Sequence, residues 1–168
     1  MSIFQFLLPF LAVLIGVMGL VHLRRGALFV PSRREAVEKM VNLLDIKHGE
    51  RAVDLGSGDG RIVIALARAG AEAHGYEHNL LLVWWSRLAI KRAGLGGRAF
   101  IHRTNFWKED FSKFTVFTVF GINYIMKKLE EKLFREVSRG RTRVASYVFK
   151  FPKIAHSLSS KGVYLYNL

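Results

Sequence analysis

The stretch "AVDLGSGDGRIVIALA" (residues 52–67) constrains the fold of this chain more than any other feature of its sequence. An apolar run comes first, glycines then occupy alternate positions (Gly56, Gly58 and Gly60), and apolar residues at helical spacing follow. This order is typical of the first strand, loop and helix of a parallel α/β sheet. Glycine allows a sharp turn and a close approach of backbone to ligand. We therefore predict that the loop after this strand is a binding site.

Strand and helix patterns alternate along the rest of the chain, which predicts a mostly parallel sheet with helices on both faces. Strands are predicted at residues 51–55, 72–77, 98–102, 114–120, 142–149 and 162–168, the last as an edge strand. Helices are predicted at residues 34–45, from the glycine turn to residue 68, at 79–93 and at 123–137. The helix over 79–93 is expected to pack through an apolar side made of Leu81, Leu82, Trp84, Trp85, Leu88 and Ala89.

The N-terminal residues 3–23 carry no charged side chain, and Arg24 and Arg25 follow directly. A helix of about 21 residues rises roughly 31 Å, which is the thickness of a hydrocarbon core. We predict a single transmembrane helix within residues 1–25, with the remaining chain on the cytoplasmic side, or on the matrix side in a mitochondrion. A cleaved signal peptide would place basic residues first. A buried core helix would not be apolar on every face.

The charge balance predicts anionic surroundings. The sequence has 26 Lys and Arg against 13 Asp and Glu, so its net charge is 26 − 13 = +13, and every charged residue follows residue 23. Anionic membrane surfaces, nucleic acids and acidic partners all fit this balance. The absence of cysteine excludes disulfides and thiolate metal sites, and the six histidines show no metal-ligand spacing, so no metal site is predicted.

Three polar residues at the ends of the first three predicted strands indicate the ligand. Asp54 would repel a pyrophosphate but suits an ammonium group, and Arg61 stands where a dinucleotide motif has its third glycine. Glu77 can accept hydrogen bonds from both hydroxyls of a ribose. Asn105 is placed for an adenine edge, although it could instead make only a local turn. An ammonium, a ribose and an adenine together describe S-adenosylmethionine.

The segment "DLGSGDGR" (residues 54–61), followed by Glu77, resembles the cofactor signature of class I S-adenosylmethionine-dependent methyltransferases. The segments "FVPSRREAVEKMVNLL" (29–44) and "TNFWKEDFSKFTVFTVFG" (104–121) resemble one subfamily, the small protein-lysine N-methyltransferases. That subfamily includes the mitochondrial enzymes acting on the adenine nucleotide translocase and on the c subunit of ATP synthase. The resemblance covers roughly residues 29–153. Asn105 and Phe106 depart from it, because the mitochondrial members resemble "DLW" at this point.

The resemblance implies a Rossmann-like methyltransferase domain over residues 49–168, preceded by a juxtamembrane helical segment (26–48) that covers the site. The expected cofactor-binding residues are Asp54, Gly56, Ser57, Gly58, Gly60, Glu77, Asn105 and Phe106. The residues expected to line the pocket for the substrate amine are Pro31, Ser32, Asn123 and Tyr124.

The expected function is methylation of lysine in a protein, and the expected substrate is associated with a membrane. Two other functions fit the same sequence. The chain could methylate RNA or a small molecule of the membrane, although it lacks an appended RNA-binding module. It could also be a tethered domain that binds S-adenosylmethionine without catalysis.

Overall fold

A computed structural model of the chain describes residue 9, residues 32–121 and residues 123–168. The predicted membrane helix over residues 3–23, apart from Pro9, lies outside these residues, as does Pro31. Among the helices that are described, none has both the length and the apolar character needed to cross a bilayer. Residues 31–168 form a unit of their own.

Seven strands form one sheet in the described part of this unit. The strands are β1 (Arg51–Leu55), β2 (Glu72–Glu77), β3 (Ala99–Arg103), β4 (Val116–Val119), β5 (Arg143–Tyr147), β6 (Leu158–Ser160) and β7 (Val163–Asn167). Their order across the sheet is β3-β2-β1-β4-β5-β7-β6. Strands β1 to β5 pair in parallel, whereas β7 pairs antiparallel with both β5 and β6. The predicted sheet is therefore confirmed as mostly parallel.

The helices described between and before these strands are α1 (Arg34–Leu44), α2 (Arg61–Arg68), α3 (Leu80–Arg92) and α4 (Asn123–Glu136), with a 3-10 turn at Phe106–Lys108. Helices α1, α2 and α3 bury residues such as Met40, Leu66 and Val83 against one face of the sheet. Helix α4 buries Leu129 and Leu133 against the other. Because both faces are covered, the central strands are apolar on both sides, which is why the sequence shows short apolar runs rather than alternation.

The prediction that the last strand lies at the sheet edge is wrong. Strand β7 is internal, and the short strand β6 pairs with its outer side. Strand β6 has the sequence "LSS", in which Leu158 is exposed. Three residues with one exposed apolar side chain give no periodic signal, so the sequence pattern could not reveal this strand.

The predicted apolar side of the helix over 79–93 is also wrong. Helix α3 buries Val83, Ser86 and Ile90, whereas Trp84 and Trp85 are 62% and 59% exposed. Apolar residues occur on nearly every face of this helix, so spacing alone did not single out the buried stripe.

A close approach of α3 to α2 explains the choice of stripe. A Cβ atom placed on Gly60, at the start of α2, would lie 2.8 Å from the Cβ of Ser86. A glycine facing a serine lets the two helices meet here, and a tryptophan at the position of Ser86 would not fit. Because Gly60 and Ser86 pack against each other, the side of α3 that carries Trp84 and Trp85 faces solvent.

Candidate functional site

The glycine loop leaves β1 and enters α2 through three left-handed backbone positions. Gly56, Gly58 and Gly60 have φ values of +84°, +53° and +81°. Residues with a side chain are strained in this region, so the alternating glycines are a requirement of the loop's path. The N–H groups of Gly56 and Ser57 both donate to the carbonyl of Tyr76, at 2.9 and 3.0 Å. These bonds fix the loop against β2 at the carboxyl edge of the sheet, where ligands of such folds bind.

Asp54 lies in the last part of β1 and is 2% exposed. Its Oδ1 accepts a hydrogen bond from the Thr118 hydroxyl of β4 at 2.7 Å. Burial raises the pKa of Asp54 to about 7, and the charges of Glu77 and Asp59 add to the effect, whereas the bond from Thr118 opposes it. A cation bound beside this carboxylate would stabilise its charged form and lower the pKa again. The position therefore favours a positively charged ligand group.

Glu77 is the last residue of β2, and its carboxylate binds the backbone of the glycine loop. Its Oε2 accepts from the backbone N–H of Gly58 at 3.0 Å, and its Oε1 accepts from the N–H of Asn79 at 2.7 Å. Each carboxylate oxygen can accept about two hydrogen bonds. One further donor can therefore bind to each oxygen, as the two hydroxyls of a ribose would, without displacing the loop.

Arg61 connects the loop to the chain that precedes α1. Its Nη1 donates to the carbonyl of Ser32 at 2.7 Å, and its Nη2 lies 2.6 Å from Asp59 Oδ2. The hydrogen bond and charge of Asp59 raise the pKa of Arg61. The family resemblance implied that Ser32 lies over the site; in the structure Ser32 is buried and contacts Arg61, and its contact with a substrate amine stays a prediction. The ion pair between Asp59 and Arg61 was not predicted from the sequence. An aspartate and an arginine on either side of the last glycine of the loop could have indicated it.

Asn105 makes the local turn that the sequence left open as an alternative. Its side-chain oxygen accepts from the N–H of Trp107 at 3.1 Å and so caps the 3-10 turn. Phe106 is half-buried, with its ring 4.6 Å from that of Trp107. Both residues follow β3 at the same sheet edge as Glu77. Their contact with an adenine stays a prediction.

Asn123 and Tyr124 begin α4 after β4, and both side chains are exposed. Their position at the carboxyl end of β4 brings them to the edge that also carries Asp54 and the glycine loop. Ser57 is buried, and its hydroxyl has no hydrogen-bond partner among the described residues. In the same residues, no group of three or more His, Asp or Glu side chains could hold a metal ion.

The arrangement combines two acidic side chains with a loop of backbone N–H groups. A ligand bound here would meet a buried carboxyl at β1, a hydrogen-bonded carboxylate at β2 and the N-termini of α2 and α4. The arrangement suits a ligand that carries both a cationic group and hydroxyl donors.

Comparison with known proteins agrees with this geometry. The family model of the ANTKMT methyltransferase domain matches residues 54–157. The lysine N-methyltransferase of Mus musculus that is named for the ATP synthase c-subunit is 43% identical over 125 residues, which are 74% of this chain and 50% of that protein. A protein-lysine N-methyltransferase of Saccharolobus islandicus is 34% identical over 124 residues, or 73% of this chain and 76% of that protein. This chain thus spans about half the length of the mouse relative.

A solved structure is similar as well. The crystal structure of an RNA methyltransferase from Salinibacter ruber, in complex with S-adenosyl-L-homocysteine, has a TM-score of 0.76 and 33% identity to this chain. The match covers 82% of this chain and 91% of that one.

Proposed function

Because the chain belongs to the ANTKMT methyltransferase domain family, we propose that it transfers a methyl group from S-adenosylmethionine to a lysine side chain of a protein. The observation that carries this proposal is the placement of Asp54 near the end of β1 and of Glu77 at the end of the adjacent strand β2, next to a left-handed glycine loop. The named activities of the mouse and archaeal relatives support lysine as the acceptor.

The residues at the sheet edge fit this cofactor. Asp54, whose charged form is costly without a cation beside it, would bind the ammonium of the methionine part. Glu77 would accept from the ribose hydroxyls while it keeps its bonds to Gly58 and Asn79. When bound, the cofactor supplies a methyl group that its sulfonium already activates. The protein therefore has to orient the acceptor rather than activate the donor, and orientation can contribute several kcal/mol.

The acceptor amine must be neutral to react. A lysine with a pKa near 10.4 costs about 4–5 kcal/mol to deprotonate at pH 7. The N-terminus of α4, at Asn123, carries the positive end of the helix dipole, which disfavours an ammonium there by about 0.3–1 kcal/mol. Asn123 and Tyr124 could accept a hydrogen bond from the neutral amine, and Ser32, held by Arg61, would close the pocket from the other side. The proton itself would leave to water.

We further propose that residues 3–23 anchor the enzyme in a membrane with the described unit on the cytoplasmic or matrix side. An anchor raises the effective concentration of membrane-bound substrates without any new contact. The preferred substrate is therefore a membrane protein with a lysine close to the bilayer surface. Extraction with alkaline carbonate tests the anchor: the full-length protein should stay in the membrane pellet, and its release would refute the anchor.

Labelled methyl transfer tests the reaction. The full-length protein is incubated with methyl-labelled cofactor and membranes stripped of endogenous activity, and protein, RNA and lipid are then separated. Label should appear in methyl-lysine after hydrolysis of the protein. The Asp54→Ala variant should transfer no label, whereas Asp110→Asn, which changes an exposed carboxylate that interacts with Ser112 and Lys113, should be as active as the natural chain.

Methylation of RNA is the second function that specific observations favour. The similar structure from Salinibacter ruber is described as an RNA methyltransferase, and the net charge of +13 suits a polyanion. The same assay decides between the two. Label found in RNA and absent from lysine would reject lysine methylation and support this alternative.

A further inference from the structure

Helix α3 presents a cluster of large apolar side chains to solvent. Leu80, Leu81, Trp84 and Trp85 are 56%, 68%, 62% and 59% exposed, and we refer to these four residues as the α3 patch. They are half of the eight large apolar side chains that are exposed in the described part of the chain, and they lie within six consecutive residues. Single exposed apolar residues are ordinary, but contiguous ones mark an interaction surface.

The charged residues of helix α3 itself are all basic. Helix α3 contains no acidic residue, and its second half carries exposed Arg87, Lys91 and Arg92. Lys91 lies seven residues after Trp84, so it is on the same side of the helix, about 10 Å further along the axis. Arg87 and Lys91 also line an open groove of about 520 Å³ between α3 and β3, together with apolar residues.

The α3 patch also lies at the edge of the sheet that carries the cofactor site. Leu80 is three residues after Glu77, and Asn79 caps the helix between them. Ser32, where the continuous described chain begins, is held at this same edge by Arg61. Ser32 therefore lies at the same edge of the sheet as the α3 patch.

We propose that the α3 patch docks on the surface of an anionic lipid bilayer. Exposed tryptophan favours the membrane–water interface, and lysine and arginine two turns further along the helix are attracted to anionic headgroups. The indole rings would enter the interface, where an apolar ring and a polar N–H both find partners. Lys91 and Arg92, each seven residues after a tryptophan of the α3 patch and both exposed, would lie at the level of the lipid phosphates. This inference rests on the proposed membrane location and adds an orientation, because docking would turn the cofactor edge toward lysines near the bilayer.

The three tryptophans of the sequence allow a direct test. In the full-length Trp107→Phe variant, only the two indoles of the α3 patch emit. In the matched Trp84→Phe/Trp85→Phe variant, only Trp107 emits, and it is half-buried against the other face of the sheet. Both proteins are reconstituted into vesicles of phosphatidylcholine and phosphatidylserine, with or without bromine on the upper acyl carbons. Brominated lipid should quench the patch tryptophans strongly and Trp107 little.

Lipid charge and the basic residues provide the second readout. Quenching of the patch tryptophans should fall several-fold when phosphatidylserine is omitted, or in a Lys91→Gln/Arg92→Gln background. Arg87 is left unchanged, because its guanidinium donates to the Ile101 carbonyl at 2.8 Å and supports β3.

Equal quenching of Trp84, Trp85 and Trp107, or none, would overturn the proposal. Blue-shifted emission from the patch tryptophans that is insensitive to brominated lipid would also contradict the proposal. It would show that the patch is covered by protein, either the N-terminal segment, a second copy of the chain or another partner. Carbonate extraction of the same vesicles separates this result from failure of the anchor. Protein that resists extraction without quenching contradicts docking alone, and protein that is extracted but was quenched contradicts the anchor alone.

Discussion

Replacement of Asp54 by Asn should stabilise the cofactor-free protein at neutral and alkaline pH. Burial raises the pKa of this carboxyl from 3.8 to about 7, so the folded chain binds its proton more tightly than the unfolded chain. Between about pH 4 and pH 7 the folded state holds more protons, and the free energy of unfolding falls as the pH rises through this window. A shift of about three pKa units corresponds to a loss of about 4 kcal/mol.

The asparagine that this substitution introduces has the same shape as the aspartate and can still accept the bond from Thr118, but it never becomes charged. The advantage of Asp54→Asn over the natural chain should therefore grow by about 2–4 kcal/mol between pH 4.5 and pH 8. Urea unfolding of the full-length proteins in mild detergent at both pH values measures it. Asp110→Asn is the control, because hydrogen bonds from Ser112 lower the pKa of that exposed carboxyl. An advantage of the same size at both pH values would refute the raised pKa of Asp54.

Three further outcomes follow from the site. Glu77→Ala should weaken cofactor binding by on the order of 1.5–3 kcal/mol for each lost ribose hydrogen bond, measured by calorimetry, and unchanged affinity would show that Glu77 serves only the loop. Gly60→Ala should lower the free energy of unfolding by about 1–3 kcal/mol more than the control Gly94→Ala. Both glycines have a positive φ, but only Gly60 faces Ser86. Equal losses in the two variants would contradict the close contact. Arg61→Ala should lower the rate of methyl transfer by a larger factor than it lowers cofactor affinity, because the substitution removes the hydrogen bond that holds Ser32. Arg61→Lys should restore only part of the lost rate.

The sequence was sufficient for the parts of the fold that rest on local patterns. The strand "RAVDL", the glycine turn and the alternation of strands with helices predicted the parallel sheet, because each is encoded in a few consecutive residues. The carboxylates Asp54 and Glu77 could be placed at the binding edge for the same reason: the end of each strand marks its position.

Contacts between distant segments could not be predicted in this way. The bond between Asp54 and Thr118 depends on the register of β1 against β4, which no local pattern specifies. The exposure of Trp84 and Trp85 follows from the contact of Gly60, which precedes α2, with Ser86 of α3, and these residues are distant in the sequence. Strand β6 forms because β7 offers it a partner, and the sequence of β6 alone is too short and too polar to indicate a strand.

Calorimetric titration of the full-length protein with S-adenosylmethionine tests the central claim most directly, when it is done at pH 7 in two buffers of different ionisation enthalpy. Because the pKa of Asp54 is about 7 in the free protein, binding of the ammonium should release about half a proton, and the apparent enthalpy should differ between the buffers accordingly. Asp54→Asn should bind more weakly and release no proton. Binding with the same enthalpy in both buffers would contradict the raised pKa of Asp54. Absence of binding by the folded natural chain, or unchanged affinity in Asp54→Asn, would contradict the assignment of this edge as the cofactor site.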